Sequence, residues 1–128
     1  MREPIRDKGR LEHMICAIDR ILNYMSDKSF DDMPKDKIEY YGIVKNIEII
    51  GEAAYKLTST YKDAHPSTPW KVIEKMRHVL VHDYYQIDEA EVKYVIEDDL
   101  LPLRDQINEY LTDTDWEHWE NDDDVEPK

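Results

Sequence analysis

Apolar residues recur along this chain at alternating steps of four and three. Leu11, Ile15, Ile18, Leu22 and Met25 form one stripe, and Ile43, Ile47, Ile50, Ala54 and Leu57 form another. Such steps keep apolar side chains on one side of a helix with 3.6 residues per turn. They predict helices over roughly residues 8–27 and 35–60. Trp70, Ile73, Met76 and Leu80 mark a third helix, from about Pro69 to Asp83. Val92, Ile96, Leu100, Leu103 and Ile107 mark a fourth, beginning near Asp88. No segment alternates convincingly with the period of two that a half-buried strand requires, so no strand is predicted.

The breaks between stripes fit this reading. Residues Ser26 to Pro34 form a polar loop that carries the one phenylalanine, Phe30. Pro66 and Pro69 exclude helix between the second and third stripes. There the Thr68 hydroxyl is suited to cap free amides, with Pro69 at the first helical position. Asp88, with Glu91 three residues on, has the spacing of a capping box. Pro102 lies inside the fourth helix and lacks a backbone donor, which predicts a kink near Asp98–Asp99. Short links between long helices make neighbours antiparallel. The expected fold is all-α, an up-and-down antiparallel four-helix bundle.

Composition narrows the function classes. With 128 residues, 41% of them hydrophobic, the chain supports one globular domain with a modest core. Three glycines argue against a glycine-rich nucleotide-binding loop and against a hairpin-rich β fold. The single cysteine, Cys16, excludes an internal disulfide and a multi-cysteine zinc site, and its apolar neighbours predict a buried thiol. The N-terminal residues Met1 to Pro4 carry no apolar signal region, and no stretch approaches membrane-spanning length. A cytoplasmic, prokaryotic protein with no membrane association is expected.

The net charge is −13, of which residues 113–128 contribute −7, leaving −6 on residues 1–112. This divides the chain into a helical bundle, 1–112, and a frayed acidic tail, 113–128. The tail reads as a solubilising end, or as a contact for a basic partner or a cover for a basic cleft. An acidic body disfavours broad binding to nucleic acid, which depends on summed phosphate neutralisation, but leaves room for a local basic cleft.

The chemistry concentrates in Met76 to Tyr85, where Arg77, His78, His82, Asp83, Tyr84 and Tyr85 fall together. Arginine offers a planar fork of donors that suits phosphate, and histidine moves protons near neutral pH. On an ideal helix Arg77 and Tyr84 share a face, whereas Arg77 and His82 stand about 140° apart. Either the helix departs from regular geometry near Val81–Asp83, or the working cleft is built from two copies of the chain. The second is favoured, because a single small bundle offers no evident cleft. Glu52 is either a solvated helix residue or the group that orients Arg77. His78 and His82 also stand at metal-ligand spacing, with Asp83 or Glu74 as a third donor, although no metal is the preferred reading. Residue chemistry alone reaches a phosphate-handling site.

Four stretches in order carry a further resemblance: Ile49-Ile50-Gly51-Glu52-Ala53-Ala54, then His65-Pro66 with Pro69-Trp70, then Met76-Arg77 with His82 and Tyr84, then Asp99 to Leu103. Together they resemble the HEPN superfamily, in its HepT-like branch of small toxin ribonucleases, over most of residues 8–110. The resemblance implies a HEPN-like bundle and a metal-independent, cofactor-free endoribonuclease acting as a homodimer on RNA rather than DNA. Arg77 and His82 would be catalytic, with His78, Glu52 and Asp83 in support. It also implies a nucleotidyltransferase antitoxin that transfers AMP onto Tyr84. Two positions depart from the family pattern: His78 stands where asparagine is commoner, and Asp83 replaces a common glycine, adding negative charge beside His82. The alternative, favoured by the acidic charge, is a non-enzymatic helical binding module that partners a nucleotidyltransferase.

Overall fold

A computed structural model of the protein describes residues 6–78 and 87–121. Among these residues the regular structure is helical and no strand is present. The order is α1 (Asp7–Met25), α2 (Ile38–Lys56), α3 (Ser59–Ala64), α4 (Trp70–Glu74) running on as a 3₁₀ turn (Lys75–His78), α5 (Glu89–Tyr94) passing through a π turn (Val95–Asp99) into α6 (Leu100–Asp113), and α7 (Trp116–Asn121). The all-α bundle expected from the apolar stripes is therefore present.

Contacts fix the directions. Late in α1, Arg20 Nη1 donates to Asn46 Oδ1 in the first half of α2 at 3.0 Å. At its start, Asp7 binds Thr58 just beyond α2, so α1 and α2 run antiparallel. Asp19 meets Arg104 of α6 at 2.6 Å, and Asp7 meets Trp119 of α7, so the chain from α6 to α7 runs back along α1. Leu11, Met14, Ile18 and Ile21 of α1, Ile47 and Ile50 of α2, Val92, Val95, Leu100 and Ile107 all lie in the sealed core. This burial supplies the main drive for folding.

Several details differ from the sequence expectation. The buried face of α1 is rotated toward Met14, Ala17 and Ile21, which leaves Ile15 and Leu22 at its edge. Cys16 is exposed, because two helical steps past buried Met14 turn it to the opposite face. The second helix ends at Lys56. Leu57 is extended, and Thr58 starts α3 by accepting from the Tyr61 amide at 3.1 Å. Thr68 does not cap the next helix. Its hydroxyl donates to Gln106 Oε1 at 2.8 Å and also meets the Tyr110 hydroxyl, while Pro69 takes the cap position before Trp70. Asp88 does cap α5, accepting from the Glu91 amide at 3.1 Å.

The irregularity expected from Pro102 is the π turn. The Leu100 amide reaches back five residues to the Val95 carbonyl. The wider turn aligns Leu100 with Val95, and Ile96 moves to the margin. It also relieves the clash that the Pro102 ring would make with the carbonyl four residues earlier.

Beyond residue 112 the chain still packs. Tyr61 stacks on Trp116 with ring centres 5.7 Å apart and meets Trp119 edge-on at 5.0 Å. The Trp119 indole donates to Asp7 Oδ2 at 3.0 Å. Residues 122–128 lie outside the described part of the chain.

Candidate functional site

Gly51 decides where Arg77 can sit. A Cβ at position 51 would lie 2.3 Å from the Arg77 amide nitrogen and 2.9 Å from the Met76 carbonyl carbon. Only a glycine allows α2 to approach the 3₁₀ turn this closely. Trp70, Ile73 and Met76 anchor α4 and that turn in the core, with Met76 3% exposed. The adjacent Arg77 is thereby held at the surface of α2.

The Arg77 side chain is partly covered. Its guanidinium carbon lies 3.6 Å from the ring centre of Tyr55, a stacked cation–π contact. Nη1 stands 3.9 Å from Glu52 Oε1, near enough for charge attraction but beyond hydrogen-bond length. Glu52 also pairs with Lys56 at 3.3 Å. Arg77 Nε is buried and has no hydrogen-bond partner among the described residues. The guanidinium is therefore oriented by an aromatic face and one carboxylate, with donor capacity left over.

Arg77 opens onto a cleft of about 300 Å³. Arg10 and His13 of α1 form one wall, and Lys45, Glu48 and Glu52 of α2 form the other. Arg10, Lys45 and Arg77 outnumber the two carboxylates before His13 is counted, so this lining is locally positive in a chain of net charge −13. A single copy of the chain therefore has a cleft, contrary to the expectation from its size. The helix has also left α geometry by Lys75, two residues before Arg77. The ideal-helix angle between Arg77 and His82 consequently does not require a second subunit.

The structure brings Glu52 and Arg77 together. His78 is exposed at the end of the 3₁₀ turn and does not line the cleft. His82, Asp83 and Tyr84 lie outside the described residues. Among the described residues no cluster of three or more His, Cys, Asp or Glu side chains is disposed to hold a metal ion. No helix among them is long and apolar enough to cross a membrane.

Sequence reasoning missed Arg10, His13, Lys45 and Tyr55. A signal existed on α2, where Lys45, Glu48 and Glu52 fall at the i, i+3, i+7 spacing of one helical face. Arg10 and His13 repeat by three on α1 in the same way. Nothing in the sequence says that these two polar faces meet.

A helical bundle that presents a tethered arginine at the mouth of a locally basic cleft has the donor chemistry to hold an anion. The comparisons go further: the chain belongs to the HepT-like family, whose model, described as Ribonuclease HepT-like, matches residues 14–110. A provisionally named RNase of Caldanaerobacter subterraneus subsp. tengcongensis is 31% identical over 79% of this chain and 90% of its own length. A provisionally named ribonuclease HepT of Thermococcus cleftensis is 30% identical over 76% of this chain and 88% of its own. A Methanocaldococcus jannaschii protein, described as a gamma-glutamylcyclotransferase and provisional RNase, is 30% identical over 82% of this chain but only 47% of its own length. No solved structure matches the chain.

Proposed function

We propose that this chain is a metal-independent endoribonuclease, the toxin of a toxin–antitoxin pair. The observation that carries the reading is Arg77, stacked on Tyr55, facing Glu52 and retaining an unpartnered donor at a basic cleft. The ribose 2′-hydroxyl attacks the adjacent phosphorus as the 5′-oxygen leaves. Arg77 stabilises the negative charge that grows on the phosphoryl oxygens. His82 takes or gives the proton in transit. The products are a 2′,3′-cyclic phosphate and a 5′-hydroxyl. Unstacked RNA is the substrate, because in-line attack needs a backbone free to turn.

The working form is a homodimer, and control comes from a nucleotidyltransferase antitoxin that transfers AMP to Tyr84. An AMP on Tyr84 adds a phosphate charge seven residues from Arg77 in sequence, and that charge competes with RNA for the arginine. This part rests on the family to which the chain belongs.

The test is cleavage of single-stranded RNA by purified protein in EDTA. Arg77→Ala and His82→Ala are each expected to reduce the rate by about 100-fold or more, as loss of a transition-state donor or a proton carrier does. Activity that needs a divalent ion, or that survives His82→Ala, contradicts the mechanism. Tyr84→Phe is expected to keep cleavage and lose control by the antitoxin. Light scattering is expected to give twice the 15.4 kDa chain mass.

The net charge of −13 favours a second reading, a non-enzymatic module that binds a nucleotidyltransferase. Expression in a bacterium separates the two. Equal growth with the wild-type chain and with an Arg77→Ala, His82→Ala double variant supports the module.

A further inference from the structure

The wall of the cleft opposite Arg77 belongs to α1, and Arg10 and His13 precede the stretch that the family model matches. They stand one helical turn apart and face Lys45 and Glu48 of α2 across the cleft. Arg10 Nε is buried and, like Arg77 Nε, has no hydrogen-bond partner among the described residues. Two guanidinium groups from different helices thus line one small cleft with donors unused. A buried donor without a partner is costly, and a bound anion satisfies it.

The geometry points to Arg10, Lys45 and His13 as a second phosphate subsite, which holds the RNA phosphodiester next to the one that Arg77 attends. This rests on Arg77 as the group that handles the scissile phosphate. With Arg77 at one side of the cleft, the neighbouring phosphate of the same strand is the anion that reaches Arg10 and Lys45. Arginine supplies a planar fork to two phosphate oxygens, lysine a point charge, and the imidazole a further donor. Glu48 and Glu52 shape the choice of anion. Two carboxylates repel a doubly charged monoester or a pyrophosphate more than a singly charged diester. A carboxylate also accepts hydrogen bonds from a ribose hydroxyl or a base amino group. Sites of this kind in single-strand binders hold the backbone without reading sequence. An acidic chain, unable to gather RNA by overall charge, places its attraction for phosphate in this cleft.

The test uses the full chain and a short, fluorescein-labelled 2′-O-methyl single-stranded RNA, which lacks the attacking hydroxyl and is not cleaved. Binding is read by fluorescence anisotropy across a salt series. The double variant Arg10→Gln, Lys45→Gln is expected to weaken binding about tenfold or more and to lower the salt slope by about 1.4, the value for two contacts on a single strand. Far-UV circular dichroism checks that the bundle is intact. Glu48→Gln removes a negative charge from the same cleft and is expected to tighten binding; weaker binding by this variant overturns the subsite. On cleavable RNA the double variant is expected to raise KM with kcat nearly kept, whereas Arg77→Ala lowers kcat.

The two readings fail separately. If Arg77-dependent cleavage occurs but oligomer affinity and salt slope are unchanged in the double variant, the subsite is overturned and the ribonuclease reading stands. If the oligomer binds through Arg10 and Lys45 but RNA is not cut, the subsite stands and the ribonuclease reading is overturned. If the wild-type chain does not bind the oligomer, the subsite is overturned.

Discussion

Gly51 and Arg77 show how closely one residue can govern another across the fold. The space for a Cβ at position 51 is already filled by the backbone at Met76 and Arg77, which side-chain rotation cannot clear. Gly51→Ala is therefore expected to push the 3₁₀ turn away from α2. The cost is about 1–3 kcal/mol, as for overpacking elsewhere, and the stacking of Arg77 on Tyr55 is disturbed with it. Urea denaturation and RNA cleavage should fall together in this variant, and unchanged values in both would show that the turn has room. Arg77→Lys separates charge from shape, because lysine keeps the charge but loses the planar face that stacks on Tyr55. Cleavage is expected to drop by about tenfold or more with little change in the unfolding midpoint. At this scale the sequence was half legible. Arg77 and Glu52 stand out by chemistry and motif, and the Gly51 stretch by resemblance. The role of Tyr55 depends on a contact between two helices that no local spacing encodes.

Among the elements, the run from α5 through the π turn to α6 was legible in cause but not in form. Asp88 caps it, and Pro102 predicts a disturbance within one turn upstream, where the π turn lies. The apolar stripe was drawn with a constant 3.6-residue period, so it placed Ile96 inward and overlooked Val95; one wide turn shifts the phase between them. The same turn half-buries Asp99. Burial first, then the nearby charges of Glu91 and Asp98, raise its pKa above the ordinary carboxylate value. Its protonated form is the one that the fold favours. The associated stability is present below the ordinary carboxylate pKa and is lost as pH rises through the raised value. Asp99→Asn is therefore expected to raise the melting temperature at neutral pH, with the gain fading on acidification into the carboxylate range. A gain that persists unchanged in acid would point to some cause other than this carboxyl. At the far end of α2, helix was expected to continue toward residue 60, but Leu57 and Thr58 turn the chain. The reason is distant in sequence: both the amide and the hydroxyl of Thr58 donate to Asp7, at 2.9 and 2.8 Å.

The arrangement of the whole molecule follows from contacts that join its two ends. The sequence separates an acidic segment after residue 112 by charge, and charge says little about the tryptophans carried within it. Trp116 and Trp119 close over Tyr61, whose hydroxyl is pushed up to about 12 by burial. Asp7, 5% exposed, ties the arrangement together, because its carboxylate accepts from the Thr58 amide, the Thr58 hydroxyl and the Trp119 indole. It thereby links the start of α1, the turn into α3, and α7. Removing the acceptor leaves three donors to be rehydrated or left unpaired in a closed site. Hydrogen bonds to charged groups each contribute about 1.5–3 kcal/mol, and unpaired buried donors cost a similar amount. Asp7→Ala is expected to lower stability by about 2–4 kcal/mol in urea titration, the three bonds not being additive. With Trp119 freed, the tryptophan emission should shift to longer wavelength, and limited proteolysis should cut between α6 and α7. Asp7 does not line the Arg77 cleft, so RNA cleavage at temperatures well below the melting point is expected to change little. If emission, proteolysis and stability all match the wild-type chain, Asp7 does not hold the ends together, and the closure rests on the stacking of Tyr61 against Trp116 and its edge-on contact with Trp119.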